Sequence, residues 1–175
     1  MLLLWALGCA DKALTHIEVD GEADTEVEAG TLLEELLVDF GFEDFVSMDL
    51  VSASALQNQG VEPGDISSAE LIGFELEAID GTGDLSFLEE LRLSVSAPDL
   101  DAVELAVATN FPPGEPVVVF ALSGADFAPH VVSREVTFQT DITGHRPSAD
   151  TIVRARYVVD VGVTIQGAAG AIKDR

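Results

Sequence analysis

The stretch TIVRARYVVDVGVTI, residues 151–165, decides the fold. Its odd positions Val153, Ala155, Tyr157, Val159, Val161, Val163 and Ile165 are all apolar, and Arg154, Arg156, Asp160 and Thr164 fall between them. A period of two sustained over that length belongs to a β-strand with one face on a core and one in water. Working outward, EVTFQTDIT (135–143) sets Val136, Phe138 and Ile142 opposite Glu135, Gln139 and Asp141. LRLSVSA (91–97) places Leu91, Leu93, Val95 and Ala97 inside and Arg92, Ser94 and Ser96 outside, and VELAVA (103–108) continues the alternation through Val103, Leu105 and Val107.

Two further segments alternate less cleanly. PVVVFAL (116–122) is apolar throughout, as a strand covered on both faces would be. ISSAELIGFELEAI (66–79) reads as a longer strand with Ile72, Phe74 and Leu76 on one side. The breakers DGTGD, APD, NFPPGEP and TGHRPSAD separate these runs. Strands spaced this way with no helix between most of them predict a mainly β protein, an antiparallel, Greek-key-like β-sandwich of about seven or eight strands.

One or two short helices complete the expected inventory. Thr31 and Glu34 have capping-box spacing, Leu33, Leu36, Leu37 and Phe40 then share a helical face, and Gly41 can end the helix. The following FEDFVSMDLV (42–51) satisfies either period. Ser86 and Glu89 repeat the capping-box spacing over SFLEEL, which reads as one short turn entering the next strand.

The chain has 175 residues, long enough for one domain with a core that needs no disulfide or metal. Its net charge is −24, from 32 acidic and 8 basic residues. Lys12 is the single base before Arg92, against 22 acids; from Arg92 onward 10 acids face 7 bases. Such a field repels phosphate backbones and anionic lipid, which argues against nucleic-acid binding and favours cations or basic partners.

MLLLWALGC (1–9) is an apolar run, too short to span a bilayer, that ends in Gly8 and the single cysteine, Cys9. It resembles the end of a bacterial lipoprotein signal peptide, whose lipobox sets a small residue just before the lipidated cysteine. That resemblance implies a diacylated Cys9, removal of the preceding segment and a bacterial envelope location, outer membrane or periplasmic. Ala6 and Leu7 depart from the usual lipobox residues, and no basic n-region precedes them, as a start codon placed too far downstream would explain. The expected division is 1–8 as an N-terminally truncated signal-peptide remnant and 9–175 as a single acidic β-sandwich domain. DGTGDLSFLEELRLSVSAPDL (80–100) with VELAV (103–107) is similar to uncharacterised all-β envelope lipoproteins, over residues 66–165. That likeness implies fold and anchor and no activity.

Chemistry is sparse. In EVDGEADTEVE (18–28) the carboxylates of Glu18, Asp20, Glu22, Asp24, Glu26 and Glu28 alternate with small or apolar residues. Same-face residues of a strand stand about 6.6–6.8 Å apart, so they converge poorly on a calcium ion that needs six to eight oxygens at about 2.3–2.6 Å. The run reads first as a solvated edge-strand face; a cation site around Asp20 and Glu22, or pairing with Arg154 and Arg156, are the alternatives. Asp80 and Asp84 flank flexible glycines in DGTGD and suit calcium better, but Leu85 and Leu91 occupy the sixth and twelfth positions of an EF-hand count. The same residues cap turns. His16, His130 and His145 are scattered and read as surface or loop residues. No nucleophile elbow, phosphate loop or dinucleotide fingerprint appears. The expectation is a lipid-anchored, non-enzymatic binding or structural module with a protein or cation ligand. A calcium-dependent adhesion domain and an envelope hydrolase are the alternatives from other classes.

Overall fold

A computed structural model describes residues 15–30, 56, 58, 60–133 and 136–164. The expected helix over 31–41, the ambiguous run 42–51, Cys9 and Ile165 lie outside the described residues.

The described chain forms β1 (Thr15–Val27), a 3-10 turn (Pro63–Asp65), β2 (Ile66–Ala78), β3 (Leu88–Ala97), β4 (Leu100–Ala108), β5 (Val117–Val119), β6 (Ala121–Leu122), a one-turn helix α1 (Ala128–Val131), β7 (Thr137–Gly144) and β8 (Thr151–Val163). One sheet has the order β1-β8-β2-β5 and the other β6-β4-β3-β7, and all pairings are antiparallel. Read from β7, the second sheet runs fourth, first, second, third, which is the Greek-key order. The expected β-sandwich is therefore the observed architecture.

Strand β8 lies between β1 and β2 and behaves as its sequence dictates. Val153, Ala155, Val159, Val161 and Val163 are buried, and Tyr157 is partly buried against them. Strand β3 likewise buries Leu91, Leu93 and Val95, and β7 buries Phe138. Between the sheets Phe74 and Phe120 meet edge to face at 4.6 Å, and Phe127 meets Phe138 at 6.3 Å. Pro98 and the left-handed Asp99 (φ 64°) turn β3 into β4, a conformation that Asp tolerates better than most residues. The expected turn at Ser86 is present: Leu88 N–H donates to Leu85 O, and the chain enters β3 at once without a helix. Helix α1 carries only short signals, Pro129 in its first turn and Asp126, whose Oδ1 accepts from Ala128 N–H and Ala69 N–H.

Three expectations about facing are corrected. Ile72 does not share a side with Phe74 and Leu76; it is 44% exposed. The register of β2 on β8 shifts between Leu71 and Gly73, so Ile72 is the extra residue of a bulge that moves the buried set from Leu71 to Phe74. In β4 the register passes from Ala106 to Glu104 opposite Leu93 and Ser94, which makes Leu105 the unpaired residue. Leu105 stays buried, but beyond it Ala106 and Ala108 face the core, and Val107 pairs with Arg92 on the other side. PVVVFAL is not covered on both faces: Val119 is 72% exposed. This segment crosses from the edge of one sheet, as β5, to the edge of the other, as β6, with buried Phe120 between them.

The bulge makes a prediction that a bulge-free reading reverses. Leu71→Ala should cost about 2–5 kcal/mol, as for a buried leucine, and Ile72→Ala should stay within about 0.5 kcal/mol. Urea midpoints at constant m-value measure both.

Candidate functional site

The acidic run of β1 forms the outer edge of its sheet. Ile17, Val19, Thr25 and Val27 point to the core, and Glu18, Asp20, Glu22, Asp24 and Glu26 are exposed. Its register on β8 runs without a shift from Thr15 opposite Val163 to Val27 opposite Thr151, which places Glu22 opposite Arg156 and Asp24 opposite Arg154. Gly21 lies opposite Tyr157, and a Cβ there would overlap the Tyr157 ring, so the glycine makes room for it.

Two arginines organise the outer face. Arg154 binds Asp24 in a bidentate pair, Nε to Oδ1 at 2.6 Å and the second nitrogen to Oδ2 at 2.7 Å, and lies 3.9 Å from Glu22. Arg156 bonds Glu75 at 3.0 Å and Glu77 at 2.7 Å and lies 3.7 Å from Glu22. The hydrogen bonds from Arg154 hold the Asp24 carboxyl below its ordinary range. Burial, and then the charge of Asp20, push the Tyr157 phenol up. Both the edge-strand reading and the arginine pairing are thus realised together. Asp20 and Glu22 stand on this face, Glu22 within reach of both guanidiniums.

Asp80 and Asp84 lie elsewhere, in the loops at the end of the sandwich where β1 and β2 finish. Asp80 Oδ1 accepts from its neighbour Gly81 N–H at 2.8 Å. Asp84 Oδ1 accepts from Ser86 N–H at 3.0 Å and Oδ2 from Gly114 N–H at 2.7 Å, joining the loop after β2 to the loop after β4. The Ser86 side chain first, and then Gly114 N–H, hold the Asp84 carboxyl below its ordinary value of 3.8. Other bonds fasten the same end: Ala29 N–H to Asp150 Oδ1, Gly30 N–H to Pro147 O, and His145 N–H to Phe87 O. Gly81 is left-handed (φ 86°), and a Cβ there would overlap Asp150 O. In this cluster, carboxylate oxygens are occupied by N–H donors from neighbouring turns.

Among the described residues no three His, Cys, Asp or Glu side chains form a group that could hold a metal ion. The strand pair Asp20 and Glu22 and the loop pair Asp80 and Asp84 are not brought together into one. The histidines also remain apart. His16 Nδ1 lies 2.7 Å from Asp160 on the outer face, and His145 is exposed in an end loop. His130 departs from the surface reading: it is buried in α1, with Nε2 2.9 Å from Asp101 O and Nδ1 without a hydrogen-bond partner among the described residues. The sequence holds no mark of its burial beyond the apolar neighbours Phe127, Val131 and Val132.

Asp84 is thus a clamp between loops. Asp84→Ala removes two charge-assisted acceptors and should destabilise by about 1–3 kcal/mol. The sign of its pH dependence follows from the lowered pKa: the stabilisation is complete above pH 3.8 and is lost as the pH falls below it. Wild type and Asp84→Ala should therefore converge in midpoint in acid. Millimolar calcium and magnesium, compared at fixed ionic strength after EDTA, should shift the wild-type melting curve equally. A calcium-specific rise would instead show a bound ion.

No family model, curated protein or solved structure matches this chain.

Proposed function

We propose that the protein is a non-enzymatic binding or structural module held by lipid at Cys9 to a bacterial envelope membrane. The observation that carries this reading is the Ala6-Leu7-Gly8-Cys9 boundary, placed shortly before the start of β1. An acyl chain on Cys9 would tether the end of the sandwich where Thr15, Ile66 and Val163 lie side by side. Residues 10–14, at no more than about 3.3–3.6 Å each, would hold that end close to the bilayer. The opposite end, with the loops around Asp84, Gly114 and Asp150, would then point away from it.

The chemistry of the body supports presentation over catalysis. The end loops are fastened to one another through Asp84, Asp150 and backbone bonds. A partner would therefore meet a surface whose ordering entropy is already spent, which favours affinity at a modest contact area. The net charge of −24 would keep the module off an anionic bilayer surface and select against acidic partners. A single lipid signal gives marginal anchoring and two chains give stable anchoring, so diacylation at Cys9 is the form that suits a permanent tether.

Expression in a bacterial host, with a basic n-region fused ahead of Met1, tests the anchor. Wild type should label with a radioactive fatty acid and sediment with membranes, and Cys9→Ser should do neither. Membrane fractionation that is unchanged by Cys9→Ser would sink the reading.

A further inference from the structure

We propose that the outer edge of β1 is a docking edge for an extended segment of a partner protein that carries Lys or Arg at every second position and apolar residues between. This inference rests on reading the protein as a binding module and names the chemistry of its partner.

The first observation is the backbone. Strand β1 spends one side of its hydrogen-bonding groups on β8, and among the described residues no bond reaches the other side. It is 13 residues long, and its register on β8 has no bulge. The other edges are poorer templates: β5 has three residues, β6 two and β7 eight. Adding a strand to a long open edge is a common mode of peptide recognition, with main-chain bonds giving affinity and alternate side chains giving specificity.

The second observation is the side-chain pattern on each face of that edge. Outward, Glu22 and Asp24 are engaged by the arginines of β8, whereas the side-chain carboxylates of Glu18, Asp20 and Glu26 have no ion-pair or hydrogen-bond partner among the described residues. An incoming cationic side chain would stand directly across from one of these, where opposite charges attract and like charges repel. Inward, the middle of β1 leaves its rim of the core incompletely covered. Gly21 offers no side chain, and Ala23 and Tyr157 are only partly buried. Apolar residues at the alternate positions of a docked strand would cover that rim.

Charge settles which strand the edge accepts. A second copy of this chain would set one row of carboxylates beside another, and its own net charge of −24 adds to the repulsion. The row that guards the edge against self-pairing is therefore a selector for a cationic strand.

The test uses the full chain and two fluorescent peptides of identical composition, one with Lys and Val alternating and one with its lysines in a single block. Equal charge makes long-range attraction the same for both. The alternating peptide should bind at least about tenfold more tightly at physiological salt, and it should shift the amide resonances of β1. The triple variant Glu18→Lys, Asp20→Lys, Glu26→Lys should abolish that preference, and the isosteric Glu18→Gln, Asp20→Asn, Glu26→Gln should weaken it with the fold intact by thermal melt. Equal affinity for the two peptides, or resonance shifts away from β1, overturns the proposal. Either result leaves the Cys9 anchor standing, because fractionation tests that independently.

Discussion

Strand β8 is hydrogen-bonded along both sides, to β1 over its full length and to β2 from Val153 to Val163, and the sheet depends on this double ladder. A slip of one residue on either side would turn Val159, Val161 and Val163 to water and drive Arg154 and Arg156 into the core. Several kcal/mol for each buried ion forbids that alternative. The valines thus fix the register from within, and the arginines fix it from without. Because β8 joins the first described strand to the second, the same register sets where every residue of β1 and β2 faces.

The arginines also answer a problem that the acidic strands create. Glu22 and Asp24 from β1 and Glu75 and Glu77 from β2 flank β8, and neighbouring strands lie only about 4.8 Å apart. Without cations on β8 these four carboxylates would share one small patch of sheet. Each exposed pair contributes little alone, but a shared network relieves repulsion that no single pair could. Glu22, within 4 Å of both guanidiniums, ties the two halves of the network together. The balance is local: Glu18, Asp20 and Glu26 lie beyond it and leave the rest of the edge negative.

Much of this was legible in the sequence. The alternations of 151–165, 91–97 and 135–143 correspond to β8, β3 and β7, because a strand with one buried face writes its period into its residues. Strands β2 and β4 were misphased for a shared reason. A bulge inserts a residue that the alternation does not count, and Ile72 and Leu105 are as apolar as their neighbours. Gly73, beside the β2 bulge, was the one available signal, since glycine inside a strand often marks such a place. In PVVVFAL, continuous apolarity has two physical causes, cover on both faces or a crossing between two sheets, and composition does not separate them. The role of Asp84 was hidden for a further reason: its partner Gly114 is 30 residues away, brought close by tertiary structure alone.

The edges show how one chain handles one liability in different ways. Strands β5 and β6 are too short to template much, and they belong to one crossing segment, so neither continues as a free edge. That shortness is what allows Val117 and Val119 to remain exposed there without a charge between them. Strand β7 presents Thr137, Gln139, Asp141 and Thr143 outward, a polar edge of moderate length. Strand β1 has neither shortness nor a bulge to blunt it, so among the described residues charge is its remaining protection, and every outward position from Glu18 to Glu26 is a carboxylate. Length and charge density thus rise together across the edges. A guard built from one sign of charge differs from the others in kind, because it repels only its own sign and leaves the backbone open to the other.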